Sequence, residues 1–344
     1  MKKVFVGLSG GVDSAVSAYL LQREGYDVVG VFLKVWEPDF LPCTAEADRL
    51  DAMRVAAHLQ IPFLTYDFED VYRRDVVEYF IREYQEGRTP NPDVLCNRSI
   101  KFGAFWERAK AEGADYIATG HYARVLDTRL FRGVDEGKDQ SYFLWTLTAD
   151  DLAHTLFPVG GMNKGDVRRV AERNGLPNAT KRDSQGLCFL GHVAMKEFLQ
   201  HYIPVQKGTV LDTNGLSVGE HEGVSFYTIG QHLPIPGNKK LYVVSKDVEE
   251  NTLTVSDQPD ERARNTYELQ GVNWINSTVE PGVPLEAQIR YHGERLQANV
   301  VGSTVTFQQS VSVAAGQSIV FYYPDTGECV GGGIIDDNAR YRKR

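Results

Sequence analysis

The stretch that most constrains this 344-residue chain is Ser9-Gly10-Gly11-Val12-Asp13-Ser14, set between an apolar run at residues 4–8 and a helical pattern at 14–23. Adjacent glycines that end a strand and open a helix let backbone N–H groups close around an anion. The helix N-terminus adds its positive end. No Gly-Lys-Ser/Thr follows, so this is not a Walker A loop, and the glycine spacing is not that of a dinucleotide fingerprint. Gly-Gly turns also join strands to helices without binding anything; here Asp13 and Ser14 on the opening turn add polar groups suited to phosphate. Such a loop needs a parallel sheet behind it, and the first half of the chain predicts one. A β-branched run occupies 28–33. Thr44 can cap a helix carrying Leu50, Met53, Ala56 and Ala57 that ends before Pro62. A strand follows at 63–68, then a helix at 102–112 stopped by Gly113, and a strand at 116–119 ending at Gly120. Strands alternating with helices imply a parallel sheet covered on both faces, with ligands beyond the carboxyl ends of the strands.

After residue 147 the pattern changes. Residues 148–156 and 163–174 read as short helices with polar N-caps, the second closed by Gly175. A loop from 178 to 191 carries Cys188, and from Gly208 the chain turns to strands and turns. From about residue 265 to 336 strand follows strand (285–291, 296–301, 304–307, 318–323), punctuated by Gly302, Pro324 and Gly327, as in a small antiparallel sandwich or barrel. The division expected is a nucleotide-binding domain at 1–147, a central connecting domain at 148–262 and a β-barrel at 263–344.

The hydrophobic share of 42% and charged share of 24% are those of a globular protein. No apolar run approaches the roughly 20 residues that span a bilayer, and Gly7 interrupts the only N-terminal apolar run before a signal sequence can form. A cytosolic protein is expected. The net charge of −9 disfavours a nucleic-acid partner on its face. Binding is local, however: Lys164, Arg168, Arg169, Arg173, Lys181 and Arg182 outnumber Asp166 and Glu172 between residues 160 and 182, and Arg340, Arg342, Lys343 and Arg344 close the chain. These runs are compatible with RNA but do not by themselves suggest it, since such a run is more often a solvated helix face.

Cys43, Cys96, Cys188 and Cys329 are widely spaced with no Cys-x-x-Cys pair, which argues against a zinc ribbon, an iron–sulfur site or a disulfide framework. Cys43 and Cys329 read as buried filler. Cys96 follows Thr89-Pro90-Asn91-Pro92-Asp93-Val94-Leu95, where two prolines stiffen a loop, Arg98 can favour a thiolate, and Asp93 is a carboxylate suited to moving a proton. Cys188 sits in a glycine-flanked, basic-edged loop. His121, at a strand end, reads as a hydrogen-bonded structural residue rather than a general base, and Tyr142, Phe143 and Trp145 as packing rather than base-stacking residues.

The Gly-Gly loop resembles the PP-loop of ATP pyrophosphatases, which split ATP to AMP and pyrophosphate while adenylating a substrate oxygen. Together with Asn-Pro-Asp-x-x-Cys-Asn, Ala-Thr-Gly-His-Tyr, Lys-Asp-Gln-Ser-Tyr-Phe-Leu and Asp-Ser-x-Gly-x-Cys-Phe, it makes the chain similar to the tRNA-specific 2-thiouridylase family from Lys3 to the glycines at 331–333. The resemblance implies an adenine-nucleotide α-hydrolase domain, a small central α+β domain and a C-terminal antiparallel β-barrel. It implies that Gly7, Leu8, Ser9, Gly10, Gly11, Val12, Asp13 and Ser14 bind ATP with Leu33 and Gly120, Mg²⁺ accompanying the phosphates. Asn91, Pro92 and Asp93 would touch the target base, Asp93 as acid/base. Cys188 would carry a persulfide and Cys96 act as nucleophile, leaving a Cys96–Cys188 disulfide to be reduced. Lys138, Asp139, Gln140, Arg290 and Tyr291 would contact tRNA. Implied partners are the tRNAs for Lys, Glu and Gln and a persulfide donor, a cysteine desulfurase or a relay protein; a monomer is expected. One stretch departs: where the family has a basic, glycine-rich run, this chain has His232-Leu233-Pro234-Ile235-Pro236-Gly237. Two other readings accommodate the loop, a ligase or amidotransferase adenylating a small substrate and a non-catalytic ATP-binding module. Neither gives a reason for Cys96 and Cys188.

Overall fold

The computed structural model describes residues 1–40, 45–182, 195–235 and 240–336. Cys43, Cys188 and the basic residues from Arg340 onward lie outside them.

Strands β1 (Lys3–Gly7), β2 (Asp27–Lys34), β3 (Phe63–Asp67) and β4 (Tyr116–Ala118) form a parallel sheet in the order β3-β2-β1-β4. Alternate residues of β1 face opposite layers. Val4 and Val6 join the cluster of Ala15, Ala18, Val55 and Ala56, from helices α1 (Val12–Arg23) and α2 (Ala45–Leu59). Phe5 joins Phe102, Phe105, Trp106 and Ala109 on the other face. Both faces are thus covered, which is why the strands read as near-continuous apolar runs.

The sheet does not stop at residue 147. Thr155–Leu156 pairs in parallel with β4, and the helix Lys164–Arg173 places Val167 and Ala171 in the α1 cluster. Only the first part of the helix expected at 148–156 forms. Thr148 and Asp151 cap Ala149–Ala153 reciprocally, Asp151 N–H to Thr148 Oγ1 at 3.2 Å and Thr148 N–H to Asp151 Oδ2 at 2.8 Å. Thr155 then leaves the helix because β4 offers a free edge.

The central domain is a five-stranded sheet around Val210, Val224, Val243, Leu253 and Val255. His232–Leu233, in the stretch that departs from the family, pairs with Leu241 and Tyr242; Pro236 and Gly237 are outside the described residues. The last domain is an antiparallel barrel of six strands from Arg264–Trp274 to Glu328–Asp336, closed by pairing the first with the last, Leu269 opposite Ile335. Along Arg295–Val301 the buried residues alternate strictly, Leu296, Ala298 and Val300 facing inward. A hairpin absent from the sequence reading, β5 (Ala123–Leu126) and β6 (Arg129–Arg132), leaves the nucleotide domain and extends the barrel sheet, with Leu130 opposite Cys329. The glycines at 331–333 let the domains meet: a Cβ on Gly332 would lie 2.6 Å from Ile319 O and 2.9 Å from the Trp145 ring.

Candidate active site

The Gly-Gly loop lies between β1 and α1, with Leu33 at the end of β2 and Gly120 just past β4, all at the carboxyl edge of the sheet. Gly10 has φ +75°, and a Cβ there would lie 2.5 Å from Asp48 O, so only glycine fits. Ser14 braces the loop: its Oγ donates to Gly11 O at 3.1 Å and accepts from Ser9 N–H at 3.2 Å. A Cβ on Gly120 would lie 2.7 Å from Ser14 N, so the strand end fits closely against the loop.

Asp13, on the first turn of α1, accepts from Lys164 Nζ at 2.7 and 2.8 Å and from Tyr122 Oη at 2.7 Å. Behind the loop, the buried Asn178 donates from Nδ2 to Gly10 O at 2.9 Å. Lys181 Nζ bonds Asp48 and Asp51, each at 2.7 Å. Burial alone would lower the Lys181 ammonium, but these two carboxylates outweigh it and hold it above the ordinary lysine range. The basic run at 160–182 is therefore in part neither RNA surface nor solvated helix face. Lys164 and Lys181 reach back to the nucleotide loop and its neighbour α2. Sequence reasoning recorded the charges but not that destination, which depends on contacts across more than 100 residues.

Cys96 does not sit on a loop. Pro90 and Pro92 suggested one, yet Pro92 takes the first position of the helical turn Pro92–Leu95, where its fixed φ is favourable and no N–H is missed. Cys96 then opens a wide-wound i→i+5 stretch, Cys96–Ala104, which runs into Phe105–Ala111. Such windings inside helices recur at functional sites. Cys96 is buried among Tyr72, Val76, Phe80, Ile100 and Phe198, beside Val35, Trp36 and Phe68, which follow the carboxyl ends of β2 and β3. Arg98 does not share that environment. Residues two apart on a helix point different ways, and Arg98 is exposed, lining a cavity of about 70 Å³ with Tyr79, Asn91 and Ser318.

The residues leading to Cys96 are gripped by both other domains. Thr89 N–H donates to Ala315 O at 2.8 Å in the barrel, and Thr89 Oγ1 lies 3.1 Å from Thr228 Oγ1 in the central domain. Asn91 Oδ1 accepts from Ser318 N–H at 2.7 Å. Asp93 is half-buried on the first turn. The cysteine helix is thus set by the docking of three domains at the carboxyl end of the nucleotide sheet.

Residues 2–192 match the family model described as tRNA methyl transferase HUP domain. Residues 196–257 match the tRNA methyl transferase PRC-barrel domain, and 264–335 the aminomethyltransferase beta-barrel domain. The tRNA-specific 2-thiouridylase MnmA of Enterococcus faecalis is 43% identical, the alignment covering 97% of this chain and 95% of that protein. Its namesakes in Bacillus subtilis and Francisella tularensis subsp. novicida are each 44% identical, covering 97% of this chain and 95% and 99% of theirs. The chain belongs to the tRNA-specific 2-thiouridylase family.

The residues that the 2-thiouridylase resemblance assigns to tRNA divide in two. Asp139 and Gln140 have their side chains committed internally. Asp139 Oδ1 accepts from Gly133 N–H at 2.9 Å and Ser141 N–H at 3.1 Å, and Gln140 Oε1 from Tyr122 N–H at 3.1 Å. Burial raises the Asp139 carboxyl above its usual range. Arg290 is exposed, and Lys138 and Tyr291 are half-buried. Tyr291 packs on Phe143 with ring centroids 4.5 Å apart. Its hydroxyl is pushed up to about 12, first by burial and then by the Asp139 and Asp93 carboxylates. Tyr142 and Trp145 are buried and bond Ser318, as packing residues would. His121 is buried with Nδ1 2.7 Å from Thr119 Oγ1, and burial pushes its imidazolium well below the ordinary range, so the ring is neutral at pH 7. Cys329 is fully buried and its thiol is pushed far up, first by burial; it stays protonated and inert.

Proposed function

We propose that this chain is an ATP-dependent tRNA-uridine 2-sulfurtransferase of the cytoplasm that acts as a monomer on the tRNAs for Lys, Glu and Gln. The observation that carries the reading is the placement of Asp93 and Cys96 on one helix start, docked at the carboxyl end of the sheet that also holds the Gly-Gly loop. ATP phosphates would lie against the backbone of residues 9–14 at the start of α1, with the adenosine toward Leu33 and Gly120. Among the described residues no cluster of three or more His, Cys, Asp or Glu is placed to hold a metal. Mg²⁺ keeps several waters and binds through one or two carboxylates plus substrate phosphates; Asp13 would be the nearby carboxylate, and the ion would neutralise phosphate charge. Lys164 would turn from Asp13 toward the pyrophosphate as it leaves.

The wobble uridine must leave its stack before O2 is accessible. O2 then attacks the α-phosphorus and pyrophosphate departs, so that a poor leaving oxygen becomes part of AMP. The terminal sulfur of a Cys188 persulfide, loaded by a desulfurase or a relay protein, attacks C2 and expels AMP. Cys96 thiolate attacks the Cys188 sulfur, releasing 2-thiouridine and forming a Cys96–Cys188 disulfide that an external dithiol reduces. Asp93 would handle the proton exchanged at the base, with Asn91 and Pro92 beside it; Lys138, Arg290 and Tyr291 would meet the tRNA from positions that Asp139 and Gln140 brace. Methyl transfer, the words in two of the domain descriptions, has no use for cleavage of ATP at the α-phosphorus or for a buried cysteine on the same helix start as a carboxylate. Pyrophosphate release tests the reading: it should require wobble-uridine tRNA and survive Cys96→Ser. Release with a small substrate alone would favour a ligase, and none with any substrate a binding module.

A further inference from the structure

Arg290, Tyr291, His292 and Gly293 form a tight turn closed by Gly293 N–H donating to Arg290 O at 2.9 Å. His292 holds φ +54°, a left-handed backbone uncommon outside glycine. That conformation lays its imidazole over the Tyr291 ring, centroids 3.8 Å apart and planes 25° from parallel. Tyr291 in turn packs on Phe143 at 4.5 Å, and Phe143 meets Tyr142 edge-on at 5.3 Å. The series runs from the core to solvent: Tyr142 is buried, Phe143 and Tyr291 are half-buried, and His292 is exposed.

The inner end is tied to the cysteine helix. Asn97 Nδ2, next to Cys96, donates to Phe143 O at 3.0 Å, and Tyr142 Oη donates to Ser318 O at 2.9 Å. The Asp93 carboxylate is among the charges that raise the Tyr291 phenol, after burial and Asp139. An exposed flat ring, set by an unusual backbone, therefore ends an aromatic column that begins beside the proposed reacting groups, with the exposed Arg290 guanidinium on the same turn. The imidazole packs against Tyr291 and remains exposed to solvent.

We propose that His292 is a stacking platform for an unpaired nucleobase flanking the target uridine, with Arg290 positioned for the adjoining phosphate. The inference rests on the tRNA reading above. Flipping one base out of a loop strips a neighbouring base of a stacking partner, and a ring at the mouth of the pocket replaces it. Stacking needs no particular base edge, because every base has a π face, so His292 would contribute affinity rather than base identity.

The test is binding of an anticodon stem-loop RNA carrying 2-aminopurine at either position flanking the target uridine. Asn tolerates the left-handed backbone and lacks the ring, so His292→Asn should bind about tenfold more weakly, from the worth of one base–aromatic stack. Parent protein should quench the 2-aminopurine at one flanking position, and His292→Asn should not. His292→Phe, which restores a ring, should recover affinity and quenching. His292→Gly, which suits the left-handed backbone and removes the ring, should bind as weakly as His292→Asn. If His292→Asn binds and quenches like the parent, or His292→Phe is as impaired as His292→Asn, the platform is refuted while the tRNA reading stands. If the parent does not bind the RNA at all, the tRNA reading fails and the platform with it.

Discussion

Lys246 is 6% exposed on the strand Leu241–Asp247, and its Nζ donates to Tyr227 O at 2.5 Å. Burial pushes its ammonium down to about 7, against about 10.4 for a free lysine. The folded state favours the neutral amine, so between pH 7 and about 10 the unfolded chain binds more protons and stability rises with pH. Below pH 7 the full penalty is present, about 5 kcal/mol by linkage; between pH 7 and 9 about 2 kcal/mol of it is relieved. Lys246→Met removes the titration but leaves the Tyr227 carbonyl without its donor, a loss of about 1–3 kcal/mol. The variant should therefore be more stable than the parent by about 2–3 kcal/mol at pH 6, an advantage that shrinks by about 2 kcal/mol by pH 9. Urea unfolding of both proteins at pH 6, 7, 8 and 9 and constant ionic strength reads this difference. The raised Cys329 thiol works against stability above the pH where an unfolded thiol ionises, but it is common to both proteins and cancels. A difference that is flat with pH, or a variant advantage that grows as pH rises, would refute the reasoning.

Lys164→Met should slow tRNA-dependent pyrophosphate release about a hundredfold while leaving tRNA affinity unchanged, since Lys164 faces Asp13; equal losses in both would place it elsewhere in the mechanism. Gly332→Ala puts a Cβ 2.6 Å from Ile319 O and 2.9 Å from Trp145, and should cost about 1–3 kcal/mol in chemical denaturation. Cys329→Ala should keep thiolation at the parent rate, because the thiol is sealed in the barrel; a loss of turnover without a loss of stability would give Cys329 a chemical role.

The parallel sheet, the nucleotide loop and the barrel were legible because each rests on short-range signals: strand–Gly-Gly–helix at 7–12, alternating burial at 295–301, turn glycines between strands. What failed were features decided across domains. Thr155–Leu156 reads as helix until β4 offers an edge, and the β5–β6 hairpin is interpretable only once Cys329 and Glu328 are beside it. At the site, the motif around Cys96 is legible in the sequence, but Pro92, which reads as a loop signal, opens a helix. Lys164 reads only as one charge of a basic run because its partner Asp13 is remote in sequence. Arg98 looked like a thiolate partner because two residues are close in sequence, although a helix separates them in direction. Asp139 and Gln140 carry a second role that the motif does not display: their side-chain oxygens accept from the backbone at 122, 133 and 141.

The most direct test of the account is nucleoside mass spectrometry of wobble-uridine tRNA after incubation with this protein, ATP, Mg²⁺ and a persulfide-generating sulfur source, with Cys96→Ser and Cys188→Ser alongside. The account predicts 2-thiouridine with the parent protein, none with either variant, and AMP equal to the thiolated product. Thiolation that persists in Cys96→Ser, or AMP formation by the parent with no sulfur in the tRNA, would contradict it.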